Sequence, residues 1–432
     1  MKIGFFTDTY FPQVSGVATS IKTLKQELER HGHEVYIFTT TDPNADKLEK
    51  DVIRMPSVPF ISFKDRRVVV RGMWYAYLVA KELELDLIHT HTEFGAGILG
   101  KMVAKKLKIP LIHTYHTMYE DYLHYIGKGK VIRQSHVKYL SRLFANHTTG
   151  VVCPSERVID TLRSYGVIAP LRVIPTGIDI EKFKRSDITQ QDISKLRESL
   201  GLQENHLMIL SLSRISYEKN IQALINGFPQ VISAYPNARL VIVGKGPYVE
   251  ELEELISELQ LEEFVQFTGE VDNNDVALYY KAADYFVSAS TSETQGLTYT
   301  EAMAAGTPCV VEGNAYLNRL FDHPSLGKTF ETDEDFAPAL IDYISSEVPK
   351  DPKVLEAKLY DISSTHFGEA MIEFYQDMVV YHEEEMRRKE EEDSIERIKI
   401  KLNSFKDKIQ TFFMKKSLFL AYTSIEARIF DF

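Results

Sequence analysis

Short apolar runs alternate with amphipathic segments along most of the chain, and this alternation predicts a repeated order of strands and helices. Residues 2–8 and 34–40 have the pattern of buried strands, and residues 17–30 between them have the spacing of a helix that ends before Gly32. A strand, a helix and a second strand in this order predict a doubly wound parallel sheet, which binds ligands near the carboxyl ends of its strands.

The alternation continues in two halves that share no evident residue identity. A second helix is predicted at residues 97–107. Further strands, two of which run into glycine turns, are predicted at residues 86–91, 111–116, 207–212, 239–248, 264–271 and 285–290. The polar, charged stretch 186–204 lies between the halves, so we expect a hinge there and two α/β domains.

One strand, loop and helix in the second half carries candidate chemistry. The strand at 285–290 leads into a loop with Glu293 and Gly296, and a helix follows over residues 298–305. The first amides of a helix have no intrahelical acceptor, so they and the helix dipole stabilise an anion beyond the strand end, which Gly296 lets approach closely. Glu293 and Glu301 flank these amides and can bind hydroxyl groups on either side of a phosphate. This layout suits a nucleotide sugar.

The same helix start has a simpler interpretation. Thr298 and Glu301 have the spacing of a capping box, which stabilises a helix without any ligand. Taken alone, this pair of residues favours the cap.

Two cations lie in the turn that follows the strand at 207–212. Arg214 and Lys219 precede a helix, where positive charge opposes the helix dipole, so a bound anion would make their position favourable. They can hold two phosphates and stabilise the charge that develops on a departing nucleoside diphosphate.

Composition narrows the classes of protein. The 432 residues suffice for two domains with cores of their own, and 44% hydrophobic and 26% charged residues are typical of a soluble globular protein. Cys153 and Cys309 are far apart and have no metal-ligand spacing, which favours a reduced, cytoplasmic location. There is no pattern of a signal peptide and no apolar run near roughly 20 residues. The net charge of −12 argues against nucleic acid as the main partner.

The string from Glu293 to Pro308 resembles the donor-site signature of glycosyltransferase family 4, with two glutamates, an inner glycine and a following Ala-Met-Ala-Ala-Gly-Thr-Pro. Members of this family are retaining enzymes with the GT-B fold, in which two Rossmann-like domains face a central cleft. The family usually has an aromatic residue where this chain has Gln295. The organisation that the resemblance implies is an acceptor domain at 1–185, a nucleotide-sugar domain at 186–366, a helix at 367–393 that crosses back to the first domain, and a basic amphipathic tail at 394–432.

The resemblance also assigns donor contacts. It places Gly16 under the donor phosphates, Gly244 near the nucleotide and the backbone around Val271 at the base, although a tight connection explains Gly244 equally well. The expected donor-binding set is Gly16, Arg214, Lys219, Gly244, Val271, Glu293, Gln295, Gly296, Leu297, Thr298 and Glu301.

His116 ends the predicted strand at 111–116, whereas His89 and His113 are expected inside the sheet or at its surface. The family commonly has a histidine at the position of His116 that contacts the donor sugar. A histidine that satisfies backbone carbonyls at a strand end is an equal alternative from the residues alone.

The expected reaction is attack of an acceptor hydroxyl on the anomeric carbon, with the leaving diphosphate held by Arg214, Lys219 and the amides of residues 296–298. The resemblance implies retention of configuration, and no carboxylate stands out as a nucleophile for double displacement. Front-face attack is therefore favoured, with Glu293 positioning sugar hydroxyls and Glu301 the ribose. The expected catalytic set is His116, Glu293, Arg214 and Lys219, with no metal and no permanently bound cofactor.

Two stretches of the first half interleave aromatic and basic residues, at 60–71 and 119–144. Such a surface binds anionic lipid headgroups, and the alternative is a solvated loop followed by an amphipathic core helix. The expected membrane or acceptor contacts in the second stretch are Tyr119, Tyr122, Lys128, Lys130, Arg133 and Lys138.

The tail has a different charge from the rest of the chain. Residues 397–416 carry seven lysines and arginines against one acidic residue. Apolar residues recur there at steps of three and four and form one stripe, at Ile395, Ile398, Leu402, Phe405, Ile409 and Phe412. Lysines border both sides of this stripe, at Lys399, Lys401, Lys406 and Lys408. This pattern favours an anionic membrane surface over a helix docked on the protein or a short coiled coil.

Residues 5–20, 113–122 and 211–220 resemble the bacterial 1,2-diacylglycerol 3-glucosyltransferases. The resemblance implies transfer of α-glucose from UDP-glucose to the 3-hydroxyl of diacylglycerol at the inner face of the cell membrane. Transfer of a second hexose or of galactose to a glycolipid, transfer to a soluble acceptor, and a nucleotide-sugar-binding regulator without turnover are the alternatives.

Overall fold

The computed structural model describes residues 1–13, 15–46, 49–60, 63–118, 134–290 and 295–429, with a few of them described by their backbone alone. Residues Met1–Gln376 form one compact unit and Asp377–Phe432 form a second. The strands are β1 (Lys2–Phe6), β2 (Glu34–Thr40), β3 (Val52–Met55), β4 (Ser57–Phe60), β5 (Phe63–Val69), β6 (Leu87–Thr90), β7 (Leu111–Thr114), β8 (Gly150–Cys153), β9 (Leu171–Val173), β10 (Leu207–Leu212), β11 (Ala238–Val243), β12 (Val265–Gly269), β13 (Tyr285–Ser288), β14 (Cys309–Glu312) and β15 (Gly327–Phe330).

The helices lie between these strands and after them. They are α1 (Gly16–Arg30), α2 (Met73–Glu82), α3 (Gly95–Leu107), α4 (Gln134–Ala145), α5 (Glu156–Ser164), α6 (Ile180–Lys184), α7 (Gln190–Ser199), α8 (Ile221–Ala234), α9 (Val249–Glu258), α10 (Val276–Ala282), α11 (Leu297–Ala305), α12 (Ala315–Leu320), α13 (Phe336–Ser345), α14 (Pro352–Asp361) and α15 (Ser364–Ile429).

Two parallel sheets organise the first unit. The seven-stranded sheet has the order β3-β2-β1-β6-β7-β8-β9, and the six-stranded sheet has the order β12-β11-β10-β13-β14-β15. In both, the order reverses beside the sheet's first strand, between β1 and β6 and between β10 and β13. These reversals are switch points, where the loops beyond the carboxyl ends of the strands separate and leave room for a ligand. The predicted pair of doubly wound sheets is confirmed.

The first strand and helix form for local reasons. β1 is an apolar run whose Ile3, Phe5 and Phe6 are completely buried. Ser15 then caps the start of α1, because its side-chain oxygen accepts a hydrogen bond from the backbone N–H of Ala18 at 3.2 Å. α1 packs its apolar face, which includes Ile21, inward. The carboxyl end of β1 and the start of α1 are thereby fixed next to each other.

The second sheet is covered on both faces by apolar side chains. One cluster includes Ile209, Leu240 and Val287 with the helices α8, α9 and α13, and another includes Leu210, Val241 and the helices α10 and α11. Strands that are buried on both faces read as continuous apolar runs, as residues 240–243 do.

The last helix differs from the sequence-based expectation. The predicted crossing helix, charge run and tail form one continuous helix, α15, because no proline or glycine interrupts the chain between Gly368 and Ile429. Tyr375, near its start, places its hydroxyl 2.6 Å from Nδ1 of His89 in β6 of the first sheet. The start of α15 therefore returns to the first sheet, while the domain boundaries that we expect around it stay a prediction.

Candidate active site

The switch point of the second sheet presents the two predicted cations. Arg214 lies just beyond β10 with its side chain exposed, and its guanidinium makes no hydrogen bond or ion pair with the described residues. Lys219 ends a short 3-10 helix, Tyr217–Lys219, before α8. The loop between them is held down because Ser213 N–H donates to the Val243 carbonyl at 3.1 Å and Ile215 N–H donates to the Lys245 carbonyl at 3.0 Å. Both cations thus lie beyond the carboxyl end of β10.

The loop after β13 lies on the other side of this switch point, and it leads to α11. The N-cap of α11 is Gly296, with φ of +80°, and among the described residues no side chain caps the helix. Thr298 is inside the first turn and not at the cap position, so the capping box is wrong. The first amides of α11, those of Leu297 and Thr298, are consequently not taken up by a capping side chain.

Glu301, on α11, bonds to a side chain of the neighbouring helix α10. Its Oε2 accepts a hydrogen bond from the Tyr280 hydroxyl at 3.0 Å. Burial raises the pKa of the Glu301 carboxyl, and the Tyr280 hydrogen bond and the positive charge of Lys182 oppose that rise. The carboxylate thus has a fixed direction and one hydrogen-bond partner. Tyr280 and Lys182 were not predicted, because nothing in the sequence near either residue points to Glu301.

Gln295 is buried beside the helix start, at 5% exposure. Its side-chain amide faces the backbone of Thr176, which follows the first sheet, with an oxygen-to-nitrogen distance of 2.7 Å and a nitrogen-to-oxygen distance of 2.8 Å. Glu293, the other predicted loop residue, lies outside the described residues. The donor contacts of both residues stay predictions.

The predicted glycines have different surroundings. A Cβ on Gly244, where φ is +143°, would lie 1.9 Å from the Ser213 carbonyl oxygen, so the chain itself requires a glycine there. A Cβ on Gly16 would meet none of the described atoms within 4 Å, which leaves open space beside them at the start of α1. Val271 is half-buried beyond the end of β12. Packing within the chain therefore requires a glycine at position 244 but not at position 16.

Four histidines gather at the carboxyl ends of β6 and β7 in the first sheet. Nδ1 of His91 lies 3.0 Å from Nε2 of His116, and the rings of His89 and His91 have centroids 4.1 Å apart. Nδ1 of His113 lies 3.0 Å from the Thr90 carbonyl oxygen and Nε2 lies 3.1 Å from the Glu93 carboxylate. His116 was predicted as a site residue and His91 was not, although the alternation His89-Thr-His91 could have indicated it.

Burial keeps the rings of His91 and His116 neutral. It lowers the pKa of His91 well below the ordinary value, and it lowers the pKa of His116 to about 3, with nearby imidazoles adding to both shifts. Nε2 of His91 is buried without a partner among the described residues. A buried unpaired N–H costs more than a buried lone pair, so we assign the proton of His91 to Nδ1, which donates to Nε2 of His116. The remaining proton of His116 is then on Nδ1.

Asp8 fixes the loops at the same switch point. Its carboxylate accepts hydrogen bonds from the backbone N–H of Val69 at 3.0 Å, from Ala96 N–H at 3.0 Å and from the Thr92 hydroxyl at 2.8 Å. Burial raises the pKa of this carboxyl. Asp8 joins β5, the loop after β6 and the start of α3, and a lone aspartate after a strand was too weak a signal to predict it.

The predicted membrane contacts are only partly described. Tyr119, Tyr122, Lys128, Lys130 and Arg133 lie outside the described residues. Lys138 is on α4 with its Nζ 5.7 Å from the ring centroid of Tyr165. The tail residues Lys399, Lys401, Lys406 and Lys408 are exposed. Within the described ranges, every helix is too short or too polar to cross a bilayer.

Comparison with known proteins identifies the family. Residues 14–182 match the family described as Glycosyltransferase Family 4, and residues 192–358 match the family described as Glycosyl transferases group 1. The alpha-monoglucosyldiacylglycerol synthase of Streptococcus pneumoniae is 50% identical over 381 residues, which cover 88% of this chain and 86% of that protein. The protein of the same name from Acholeplasma laidlawii is 34% identical and covers 82% of this chain and 90% of its own length.

Solved structures show the same architecture. Anabaena HepE in complex with UDP-glucose matches this chain with a TM-score of 0.70 and 21% identity, over 87% of this chain and 100% of that one. At this identity the likeness shows the fold. The two sheets, their switch points and the two family matches agree, and the chain belongs to the family 4 glycosyltransferases and has their GT-B fold.

Proposed function

We propose that this enzyme transfers glucose from UDP-glucose to the 3-hydroxyl of 1,2-diacylglycerol, with retention of configuration, and so makes alpha-monoglucosyldiacylglycerol at a membrane surface. The observation that carries the proposal is the 50% identity, over 86% of its length, to a protein named for that product. The solved complex of HepE with UDP-glucose supports the choice of donor. The charges at the second switch point support an anionic leaving group.

An anionic leaving group would account for the positive charge gathered at the second switch point. As the bond between the anomeric carbon and the phosphate oxygen breaks, negative charge builds on the diphosphate. The exposed Arg214, Lys219 and the uncapped amides of α11 are on both sides of the switch point where that charge would form. The acceptor hydroxyl then bonds to the anomeric carbon on the same face, and its proton passes to the departing phosphate oxygen.

The carboxylates and His116 would position the donor. In this scheme Glu301, whose direction is set by Tyr280, accepts hydrogen bonds from the ribose hydroxyls. Glu293 would hold sugar hydroxyls, and neutral His116 would donate a hydrogen bond from Nδ1 to the sugar. No metal is assigned a step.

Exposed apolar and basic side chains on the first half support a lipid acceptor. Trp74 and Tyr75 on α2 are 59% and 55% exposed, and Leu78, one turn on, is 46% exposed. Lys106 of α3 places its Nζ 5.4 Å from the centroid of the Trp74 ring. Aromatic rings with nearby cations are suited to the interface of an anionic bilayer.

The apolar stripe of α15 supports the same partner. Ile395, Ile398, Leu402 and Phe405 are between 52% and 62% exposed and follow a spacing of three and four, as in a coiled coil. The positions that flank such a seam are lysines 399, 401, 406 and 408, so a second copy of this helix would bring like charges together. An anionic lipid surface accepts both the stripe and the lysines.

The test is transfer by the full chain to vesicles of phosphatidylglycerol with diacylglycerol, from UDP-glucose. We expect monoglucosyl lipid by mass spectrometry and an α anomer by NMR. Product only with monoglucosyldiacylglycerol, only with UDP-galactose, or only with soluble sugars would replace the proposal with the corresponding alternative. UDP binding without any transfer would favour a regulator.

A separate assay tests the membrane partner by flotation with the same vesicles. Substitution of Lys399, Lys401, Lys406 and Lys408 by glutamine should lower the bound fraction severalfold and leave UDP affinity unchanged. The control substitutes Glu390, Glu391 and Glu392 of the same helix by glutamine, which should not weaken binding. Equal flotation of the lysine variant and the unaltered enzyme would disprove the role of the tail.

A further inference from the structure

The side-chain amide of Gln295 is paired with a single peptide unit of the first half. Its Oε1 accepts a hydrogen bond from Thr176 N–H at 2.7 Å, and its Nε2 donates to the Thr176 carbonyl at 2.8 Å. Gln295 is 5% exposed and Thr176 is 6% exposed. Nε2 also lies 3.4 Å from the Tyr316 hydroxyl. The amide is thus fully engaged inside the protein.

This pairing needs the chemistry of a carboxamide. An amide offers one acceptor and a donor group side by side, so it matches a backbone N–H and carbonyl of the same residue. A hydrocarbon of equal length would leave two buried backbone groups unpaired, and a carboxylate would put two oxygens in contact. Gln295 is therefore specific for this geometry.

The partner of Gln295 is itself firmly held. The Thr176 hydroxyl lies 2.9 Å from the hydroxyl of Ser20 on α1. Two residues on, Ile178 N–H donates to the Ile362 carbonyl at 2.9 Å, and Ser364 N–H donates to the Ile178 carbonyl at 2.7 Å. Thr176 is consequently tied both to the helix that Gly16 starts and to the beginning of α15.

Gln295 in turn is the residue directly before Gly296, the N-cap of α11. A hydrogen-bonded path therefore runs from α1, through Thr176, to the loop that presents the amides of α11. The path connects the two switch points, one from each sheet.

We infer that Gln295 is a positioning residue that fixes the donor loop against the first half. It sets the distance from the amides of α11 to His116 and Gly16. This inference rests on the proposed function for its rate measurements, and it differs from the direct donor contact predicted for Gln295. A reaction between groups from two domains depends steeply on such distances, because a misplacement of about 1 Å can cost roughly a hundredfold in rate.

The first test is Gln295→Met, which keeps the length and removes the hydrogen bonds. We expect kcat for glucose transfer to fall about ten- to a hundredfold, while UDP affinity, measured by calorimetry, changes less than about threefold. The control is Gln266→Met on β12, where Nε2 of Gln266 donates to the Leu200 carbonyl at 3.0 Å, and it should leave both quantities unchanged. Parallel losses of UDP affinity and kcat would indicate direct donor contact, and unchanged kcat would also overturn the inference.

The second test is Gln295→Glu, whose kcat should depend on pH. A general loss of stability would not produce this pH dependence. At a pH where the introduced carboxyl is ionised, it cannot donate to the Thr176 carbonyl, so the variant should resemble Gln295→Met. At lower pH a protonated carboxyl donates to that carbonyl and accepts from Thr176 N–H, so the ratio of its kcat to that of the unaltered enzyme should rise severalfold. Burial raises the pKa of the neighbouring Tyr316 hydroxyl to about 12, so Tyr316 stays neutral over this pH range. A ratio independent of pH would contradict the inference.

A third measurement does not depend on transfer. The amide hydrogen of Thr176, which Gln295 accepts, should exchange at least about tenfold faster in Gln295→Met, while the amide of Ile178 keeps its protection. If no UDP-sugar and lipid give product, the proposed function fails and the exchange rate still decides the pairing. Unchanged exchange at Thr176 would disprove it.

Discussion

The two switch points share a strand order and differ in chemistry. At the second sheet the loops present charge, since Arg214 is exposed without a described partner and α11 starts without a capping side chain. At the first sheet the loops after β6 and β7 present His91 and His116, whose buried rings are neutral. Loops of the same kind thus present exposed positive charge at one switch point and neutral imidazole rings at the other.

The difference in charge between the two switch points suggests that each binds a different part of the donor. A departing diphosphate is stabilised where positive charge and amides converge, so it would be bound at the second sheet. A neutral imidazole donates a hydrogen bond to a sugar hydroxyl without competing for the phosphate. The comparison therefore predicts that variants at the second sheet weaken UDP binding and that variants at the first sheet spare it.

Arg214→Ala should have the largest effect. Removing the guanidinium leaves the leaving group with less positive charge, so transfer should fall roughly a hundred- to a thousandfold and UDP affinity should fall with it. The measurements are initial rates with UDP-glucose and calorimetric titration with UDP. Arg239→Ala, at the amino end of β11, is the matched control, because Arg239 Nη1 donates to the nearby Pro236 and Ala238 carbonyls and its guanidinium lies over the Phe264 ring. An active Arg214→Ala enzyme would remove the second switch point from the mechanism.

His116→Asn should lower the rate of transfer without the loss of UDP affinity expected for Arg214→Ala. We expect kcat to fall about ten- to a hundredfold with UDP affinity unchanged, since the neutral ring of His116 lies at the first switch point and supplies no charge to the diphosphate. The pKa of His116, about 3, keeps the ring neutral across pH 5 to 8, so the pH profile of kcat should show no inflection from it. Weaker UDP binding in His116→Asn would erase the distinction between the two sites.

Sequence patterns predicted the parts of this comparison that are local. Strands such as β2 and β10 have the predicted bounds, since buried parallel strands are continuous apolar runs bounded by polar turns. Arg214, Lys219 and Gly296 follow strand ends, so they fall at switch points once the strand order is known.

The parts that were missed depend on contacts far apart in sequence. Thr176 meets Gln295 across 119 residues, and Tyr280 meets Glu301 through the packing of α10 against α11. No local period encodes such pairs. The capping box expected from Thr298 and Glu301 is wrong for a related reason. Glu301 accepts a hydrogen bond from Tyr280 of another helix, and this contact is distant in sequence.

Glu301→Gln should have a smaller effect that depends on pH. Because burial raises the pKa of Glu301, the carboxyl of the unaltered enzyme gains a proton as the pH falls toward that pKa and would then accept the proposed ribose hydrogen bonds less well. The KM for UDP-glucose should therefore rise on acidification in the unaltered enzyme, whereas Glu301→Gln should have a KM raised about tenfold at all pH values. Tyr280→Phe, which removes one hydrogen bond to Glu301, should raise KM about fivefold. A KM for the unaltered enzyme that is constant down to acidic pH would argue against ribose binding by Glu301.

The smallest effect on catalysis is expected for Gly16→Ala. Comparison with Gly244→Ala distinguishes a glycine that the donor requires from one that the fold requires. Gly16→Ala puts a methyl group into open space, so the free energy of unfolding should stay the same or rise by up to about 1 kcal/mol, while donor KM rises about fivefold because the methyl group meets the phosphates. Gly244→Ala should instead lower the free energy of unfolding by more than about 2 kcal/mol, because its φ is +143° and the Ser213 carbonyl oxygen is 1.9 Å from the new carbon. Thermal unfolding and donor titration of both variants make the measurement. If Gly16→Ala changes neither stability nor KM, the open space at α1 belongs to solvent and the donor lies nearer to the second sheet alone.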